Sequence, residues 1–86
     1  MKGFLYILRD AHGKFYIGST SNLKRRLHQH DLGHTQTTRA MAVPKLVLSQ
    51  EYISLSEARK IERRLKGLKR KDYIEKIVQD GYIRSA

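Results

Sequence analysis

The chain has 86 residues, enough for one modest hydrophobic core, so a single domain over residues 1–86 is expected. It contains no cysteine, which excludes disulfides and thiolate metal sites. The longest early apolar run, Phe4 to Leu8, is too short for a signal-peptide core or a membrane span, so a cytoplasmic protein without membrane contact is expected. Eighteen Lys and Arg residues against eight Asp and Glu residues give a formal net charge of +10, which favours nucleic acid as the partner.

Two short apolar segments at the start of the chain predict a β-hairpin. The segments lie at residues 4–8 and 15–18. Between them, Asp10 suits the first position of a type I turn and Gly13 suits a left-handed position, so the turn is a three-residue loop. This loop fixes the strand register. It places Tyr6 opposite Gly18 and brings Tyr6 and Tyr16 to the same face of the sheet.

Beyond the hairpin, capping residues and hydrophobic periodicity predict three helices and one further strand. In chain order they are a helix from about Leu23 to Leu32 that stops at Gly33, a strand from Lys45 to Tyr52, a helix that follows the capping box Ser54–Glu57 and ends near Gly67, and a helix from about Arg70 to Gln79 that ends before Gly81. The fold class is therefore α/β (α+β), with a three-stranded antiparallel sheet flanked by helices.

Three polar residues fall on helix faces that should meet the core. Arg26 and His30 share a stripe with leucines on the first helix, and Glu62 is a lone carboxylate on an apolar stripe of the next. Burying an unpaired carboxylate costs on the order of several kcal/mol, so Glu62 should have a cation partner, either Arg26 or a metal ion. A structural Arg26–Glu62 ion pair, with His30, Tyr6 and Tyr16 as packing residues, is the alternative to a catalytic site. Spacing alone does not choose between them.

Several blocks carry a family resemblance. They are Phe4-Leu5-Tyr6, the run from Tyr16-Ile17-Gly18 to His30, Thr37-Thr38-Arg39, Pro44-Lys45-Leu46-Val47, and Glu57 to Lys66. In this order, over about residues 3 to 79, they resemble the GIY-YIG nuclease family, and in particular its small stand-alone bacterial members. Phe4-Leu5 stand where Gly-Ile is usual, while Tyr6 is kept. Nothing after Glu62 matches the polar residue, often Asn, that larger members place there.

The resemblance implies a metal-dependent endonuclease that hydrolyses phosphodiester bonds of DNA rather than RNA, directed by structure rather than sequence, in repair or recombination. It implies that Glu62 holds one Mg²⁺ or Mn²⁺ ion and that Arg26 binds phosphate. His30, Tyr6 and Tyr16 complete the implied catalytic set, with Tyr6 preferred as the general base. A single carboxylate suits Mg²⁺, which keeps most of its waters and binds substrate phosphates. No small-molecule cofactor is predicted, and a protein partner is left open.

Further contacts to nucleic acid are predicted at six positions. These are Lys14, Gly18, Thr20, Arg25, Arg39 and Lys66. Gly18 is expected to leave space beside Tyr6 for the scissile phosphate. Two alternatives to an enzyme stay open: a nucleic-acid-binding module that kept the nuclease fold with little or no cleavage, and a structural basic protein of a ribonucleoprotein.

Overall fold

A computed structural model describes residues 1–31 and 44–83, except the side chains of His30 and Asp31. The elements in chain order are β1 (Gly3–Arg9), β2 (Phe15–Thr20), α1 (Leu23–Asp31), β3 (Lys45–Tyr52), α2 (Leu55–Leu68) and α3 (Lys71–Asp80). They confirm the α+β class with three antiparallel strands. No helix within these residues is both long enough and apolar enough to cross a membrane.

The hairpin has the predicted loop and register. Asp10 N–H donates to the carbonyl oxygen of Lys14 at 3.0 Å, and Gly13 takes the left-handed conformation with φ of 80°. Tyr6 pairs with Gly18. Strand β2 continues two residues past the predicted end, to Thr20. The strand order is β2-β1-β3, so β2 forms one edge of the sheet within the part of the chain that the structure describes.

The two faces of the sheet are covered by different helices. On one face, buried β1 side chains such as Leu5 and Ile7 pack with residues of α2 and α3, including Leu65 and Ile74. On the other face, the second cluster is built on Tyr6 and Leu8 and includes Tyr16 from β2 and Leu23 and Leu27 from α1. Burial of alternate strand residues on both faces follows from the period of two. Arg26 in α1 and Glu62 in α2 therefore belong to helices on opposite sides of the sheet.

The predicted ends of α2 and α3 agree with the described helices. Ser54 Oγ accepts the Glu57 N–H at 3.2 Å, as the capping box predicts, and Gly81 takes φ of 80° after α3. Helix α2 continues through Gly67, and Lys69 takes the left-handed position with φ of 51°. The end of α2 at Leu68 therefore agrees with the end predicted near Gly67, and this glycine is an exposed helical residue. The end predicted at Gly33 lies outside the described residues.

Candidate active site

Tyr6 lies against the backbone of the edge strand. Its side chain is 1 % exposed, and a Cβ atom at Gly18 would overlap Tyr6 Oη and Cζ. The Tyr6 ring therefore lies across β2 at Gly18, and glycine is the residue type that leaves room for it because it has no Cβ atom. The space that the sequence predicts for a scissile phosphate is filled by the Tyr6 ring. Gly18 is needed for packing, and its contact with nucleic acid stays a prediction.

Tyr6 and Tyr16 form a pair near the edge of the sheet. Their ring centroids are 6.2 Å apart, the ring planes are inclined at 49°, and the two phenols are hydrogen bonded. Burial, followed by interaction with Tyr16, raises the pKa of Tyr6 above that of an ordinary phenol. Arg26 lowers this pKa and Glu62 raises it, so both charged groups lie within electrostatic reach of Tyr6. A phenol with a raised pKa keeps its proton, so it is a poor acceptor for the proton of a water molecule. Tyr6, which is preferred from the sequence as the general base, is therefore disfavoured in that role.

Glu62 lies on α2 with 20 % of its side chain exposed. One carboxylate oxygen, Oε1, accepts a hydrogen bond from Ser19 Oγ, and Oε2 accepts one from Lys66 Nζ at 2.7 Å. The required cation partner is thus Lys66, predicted only as a nucleic-acid contact. Arg26 forms no ion pair with Glu62 among the residues that the structure describes. The structural Arg26–Glu62 pair considered above is therefore wrong. The spacing of Glu62 and Lys66, four residues apart on one helix, is the signal for their pairing.

Lys66 and Ser19 connect the two sides of the sheet. Besides binding Glu62, Lys66 Nζ lies 5.7 Å from the centroid of the Tyr16 ring. Ser19 is adjacent to Gly18 in β2, so it faces α2 while its neighbour faces the Tyr6 ring. At the edge strand, groups from both faces come together. The contact between Ser19 and Glu62 is not predicted from the sequence, because the predicted strand ends at Gly18. Extending the alternation of strand faces by one residue would have placed Ser19 on the face opposite to Gly18.

The Glu62 carboxylate has the chemistry to hold a hydrated divalent cation. A carboxylate offers about four lone-pair sites, and two of the hydrogen bonds that Glu62 accepts come from Ser19 and Lys66. No cluster of three or more His, Asp or Glu side chains occurs within residues 1–31 and 44–83, with the side chains of His30 and Asp31 left aside. A single carboxylate fits Mg²⁺, which retains waters and takes phosphate oxygens as further ligands. The Glu62 carboxylate is therefore compatible with its predicted role as a ligand of Mg²⁺.

Cationic side chains line two cavities, one at Glu62 and one at the beginning of α1. Glu62 shares a cavity of about 550 Å³ with Arg59 and Arg63. At the beginning of α1, the predicted contacts Thr20 and Arg25 line a cavity of about 290 Å³ together with Arg26. Asn22 caps this helix through Oδ1, which accepts the Arg25 N–H at 3.0 Å. The cap fixes the first turn of α1, where Arg25 lies and Arg26 follows.

Not every predicted site residue can be placed. The backbone of His30 belongs to α1, but its side chain lies outside the described part of the chain, as does the whole of Arg39. Lys14 lines a groove together with Tyr16 and Lys66. The structure thus brings Tyr6, Tyr16, Glu62 and Lys66 together, with Arg26 in electrostatic reach. The contacts of these residues with nucleic acid or metal stay predictions.

Comparisons with known proteins identify the family and support the fold. The family described as the GIY-YIG catalytic domain matches residues 2–76. A UPF0213 protein of Streptococcus pneumoniae is 39% identical over 70 residues, covering 80% of this chain and 71% of the relative. A UPF0213 protein of Yersinia pestis is 40% identical over 77 residues, covering 88% and 80% of the two chains. The solution NMR structure of a UPF0213 protein from Bacillus halodurans is similar with a TM-score of 0.60 and 29% identity, over 94% of this chain and 87% of that chain. The chain belongs to the GIY-YIG catalytic-domain family.

Proposed function

We propose that this protein is a metal-dependent endonuclease that hydrolyses phosphodiester bonds of DNA, directed by structure rather than sequence, in repair or recombination. One observation carries the proposal: in a protein with a net charge of +10, the partly exposed carboxylate of Glu62 lies within electrostatic reach of Tyr6 and pairs with Lys66, which lies over the Tyr16 ring. A carboxylate at this position repels a phosphate unless a cation intervenes. Its presence next to Lys66 and the two phenols supports a role in chemistry rather than in binding alone.

In this proposal Glu62 is the protein ligand of one Mg²⁺ or Mn²⁺ ion. When bound, the ion supplies neutralisation of negative charge on the phosphate and on the leaving oxygen. Arg26 donates hydrogen bonds to the non-bridging oxygens, which carry growing charge in the transition state. Lys66 adds a second positive charge near the same carboxylate. His30, which matches the family's histidine by resemblance, is assigned to holding a tyrosine or the attacking water in place, or to relaying the proton.

Tyr16 is the better candidate to accept the proton of the attacking water. Its side chain is half-buried on the edge strand, whereas Tyr6 is almost completely enclosed. A general base must reach the water whose proton it takes. Tyr6, whose pKa is raised by burial, instead keeps its proton at neutral pH and orients Tyr16 through their hydrogen bond.

Replacing each phenol separately distinguishes these two roles. Tyr16→Phe is expected to lower the single-turnover cleavage rate by at least about 100-fold, because it removes the proton acceptor. Tyr6→Phe is expected to lower it by about tenfold, because a neutral hydrogen-bond donor contributes less. Rates measured with saturating enzyme and metal test this order. If Tyr6→Phe were much more damaging than Tyr16→Phe in equally stable proteins, the assignment of the base would be reversed.

Cleavage itself is tested with a panel of nicked, flapped, branched, duplex and single-stranded DNA, together with RNA, in the presence and absence of Mg²⁺ or Mn²⁺. The wild-type protein is expected to cut branched DNA only with metal. Arg26→Ala is expected to lower the rate by about 100- to 1,000-fold, and Arg26→Lys by less, because lysine keeps the charge but loses the planar pair of donors. Metal-independent cleavage, or full activity of Arg26→Ala, would contradict the mechanism.

A binding module without turnover is the second candidate. The ion pair between Glu62 and Lys66 favours it, because a carboxylate already neutralised by an ammonium group has less affinity for a metal ion. The same panel separates the two functions. Salt-dependent binding of nucleic acid with no cleavage under any metal condition would support the binding module and contradict the endonuclease.

A further inference from the structure

A groove of about 580 Å³ begins at the candidate site and runs towards the hairpin loop and the beginning of α3. Tyr16 and Lys66 line both the groove and the site. Its remaining apolar lining comes from Phe15 and Ile17 of β2, Leu65 of α2 and Ile74 of α3. Ile17, Leu65 and Ile74 are core side chains, so the accessible part of this apolar floor comes mainly from the half-buried rings of Phe15 and Tyr16. Because Tyr16 also belongs to the candidate site, the floor is continuous with that edge of the sheet.

The rim of this groove is positively charged. Lys14 contributes from the residue before β2, Lys69 from the segment that joins α2 to α3, and Lys71 from the first residue of α3. All three lysines are exposed, and Lys71 Nζ lies 3.4 Å from the position that a Cβ atom at Gly13 would occupy. No Asp or Glu side chain lines the groove within the described residues. The electrostatic complement of such a rim is a chain of phosphates.

We propose that this groove binds an unpaired DNA strand that continues from the scissile phosphate. Its bases lie on the apolar floor, where Phe15 offers an aromatic ring, and its phosphates face the lysines of the rim. The choice of DNA rests on the proposed function. Apolar and aromatic surface combined with a basic rim is the arrangement that suits single strands, because exposed bases can be buried against it.

A fully paired duplex uses this surface less well. Its bases are stacked on one another, so it presents phosphates to the rim but no apolar face to Phe15 or Tyr16. The groove continues into the candidate site at Tyr16 and Lys66, which is expected for a substrate strand and not for a protein partner. The inference therefore specifies the substrate class as DNA with an unpaired arm, such as a flap or a branch.

Binding without metal tests the groove independently of cleavage. A fluorescent oligothymidylate, a duplex of equal length, an RNA oligomer and an acidic helical peptide are titrated with wild-type protein in EDTA, with fluorescence anisotropy as the readout. The oligothymidylate is expected to bind most tightly. Lys71→Glu is expected to weaken its binding by about fivefold or more and to reduce the slope of log K against log salt by about 0.7 for each phosphate that the variant does not neutralise.

The matched control is Lys76→Glu. It makes the same charge change on α3, at an exposed lysine that does not line the groove. It is expected to weaken binding by less than about twofold, because only the long-range field changes. Lys71→Glu should fold normally, since a carboxylate in the first turn of a helix is favourable. Circular dichroism checks the fold of both variants.

A second measurement tests whether bases of the strand contact the apolar floor of the groove. Photo-crosslinking of a strand that carries 5-iodouracil is expected to give adducts at Phe15 or Tyr16, located by mass spectrometry. Adducts confined to residues outside the groove, equal weakening by Lys71→Glu and Lys76→Glu, or tighter binding of the duplex, the RNA or the peptide would each overturn the inference.

The two proposals can fail separately. The expected binding pattern without cleavage in any metal would contradict the endonuclease and support the groove. Conversely, the protein could cleave duplex and flapped DNA at equal metal-dependent rates, with no effect of Lys71→Glu. That result would overturn the proposal that the groove binds an unpaired strand and would support the endonuclease.

Discussion

Glu62→Gln is expected to lower metal-dependent cleavage of branched DNA by about 1,000-fold while leaving the fold intact. Glutamine has nearly the size of glutamate and can still accept a hydrogen bond from Ser19 or Lys66. It lacks the negative charge that a divalent cation requires of its single protein ligand. The ion pair between Glu62 and Lys66 is partly exposed, so its removal should change the free energy of unfolding by about 1 kcal/mol or less.

Glu57→Gln supplies a matched control on the same helix. Glu57 also forms an ion pair with a lysine in the next turn, with Lys60 Nζ at 3.3 Å. The substitution removes the same charge, and glutamine suits the capping box equally well. Its cleavage rate should stay within about twofold of wild type, because only the distant field changes. Single-turnover rates over a range of Mg²⁺ concentrations provide the measurement.

The outcome separates a metal ligand from a structural acid. If Glu62→Gln cut DNA as fast as Glu57→Gln, Glu62 would not hold the catalytic cation. If both variants became inactive while remaining folded, the effect would come from net charge on α2, and the specific role of Glu62 would be wrong.

The hairpin could be predicted from local chemistry alone. Asp10 and Gly13 define a loop of fixed length, and loop length fixes which residues pair across the strands. The register of Tyr6 with Gly18 follows without any knowledge of the rest of the fold. The apolar stripe that includes Glu62 was also predictable, because helical periodicity is a local property and Ala58 and Leu65 are indeed buried.

The partners of the site residues could not be predicted in the same way. The contact between Ser19 and Glu62 joins residues 43 positions apart, and it depends on how α2 packs across β2. Helical spacing places Arg26 and Glu62 on inward faces, but it does not say that their helices lie on opposite sides of the sheet. The sequence therefore identifies Glu62 as needing a cation, either Arg26 or a metal ion; Arg26 is the wrong side-chain partner, and Lys66 takes its place.

Burial of Tyr6 is a second property that depends on tertiary packing. The ring is enclosed because Gly18 permits close approach and because α1 covers the same face of the sheet. A predicted strand shows only that Tyr6 faces one side. Desolvation of its phenol, which raises the pKa, follows from the depth of the ring below the surface. This depth reverses the preference between the two tyrosines as general base.

The close fit between Gly18 and Tyr6 leads to the second large expected effect. Gly18→Ala places a methyl group where Tyr6 Oη and Cζ now lie, so the ring must move. The backbone of Gly18 is not left-handed, and the effect is therefore one of overpacking rather than of backbone strain. We expect the free energy of unfolding to fall by about 1 to 3 kcal/mol, with a fall in cleavage activity that exceeds the fall in folded protein. Urea denaturation and single-turnover cleavage of the folded fraction measure the two effects.

Gly67→Ala is the control, because a Cβ atom at this exposed helical position would meet nothing within 4 Å. It should stabilise the protein by about 0.5 to 1 kcal/mol, since alanine favours the helix. A double-mutant cycle then tests whether the Gly18 effect acts through the Tyr6 ring. In a Tyr6→Ala background the ring is gone, so Gly18→Ala should cost much less than in the wild type. An equal cost in both backgrounds would show that Gly18 supports the strand for a reason unconnected with Tyr6, and the steric explanation of this part of the site would be wrong.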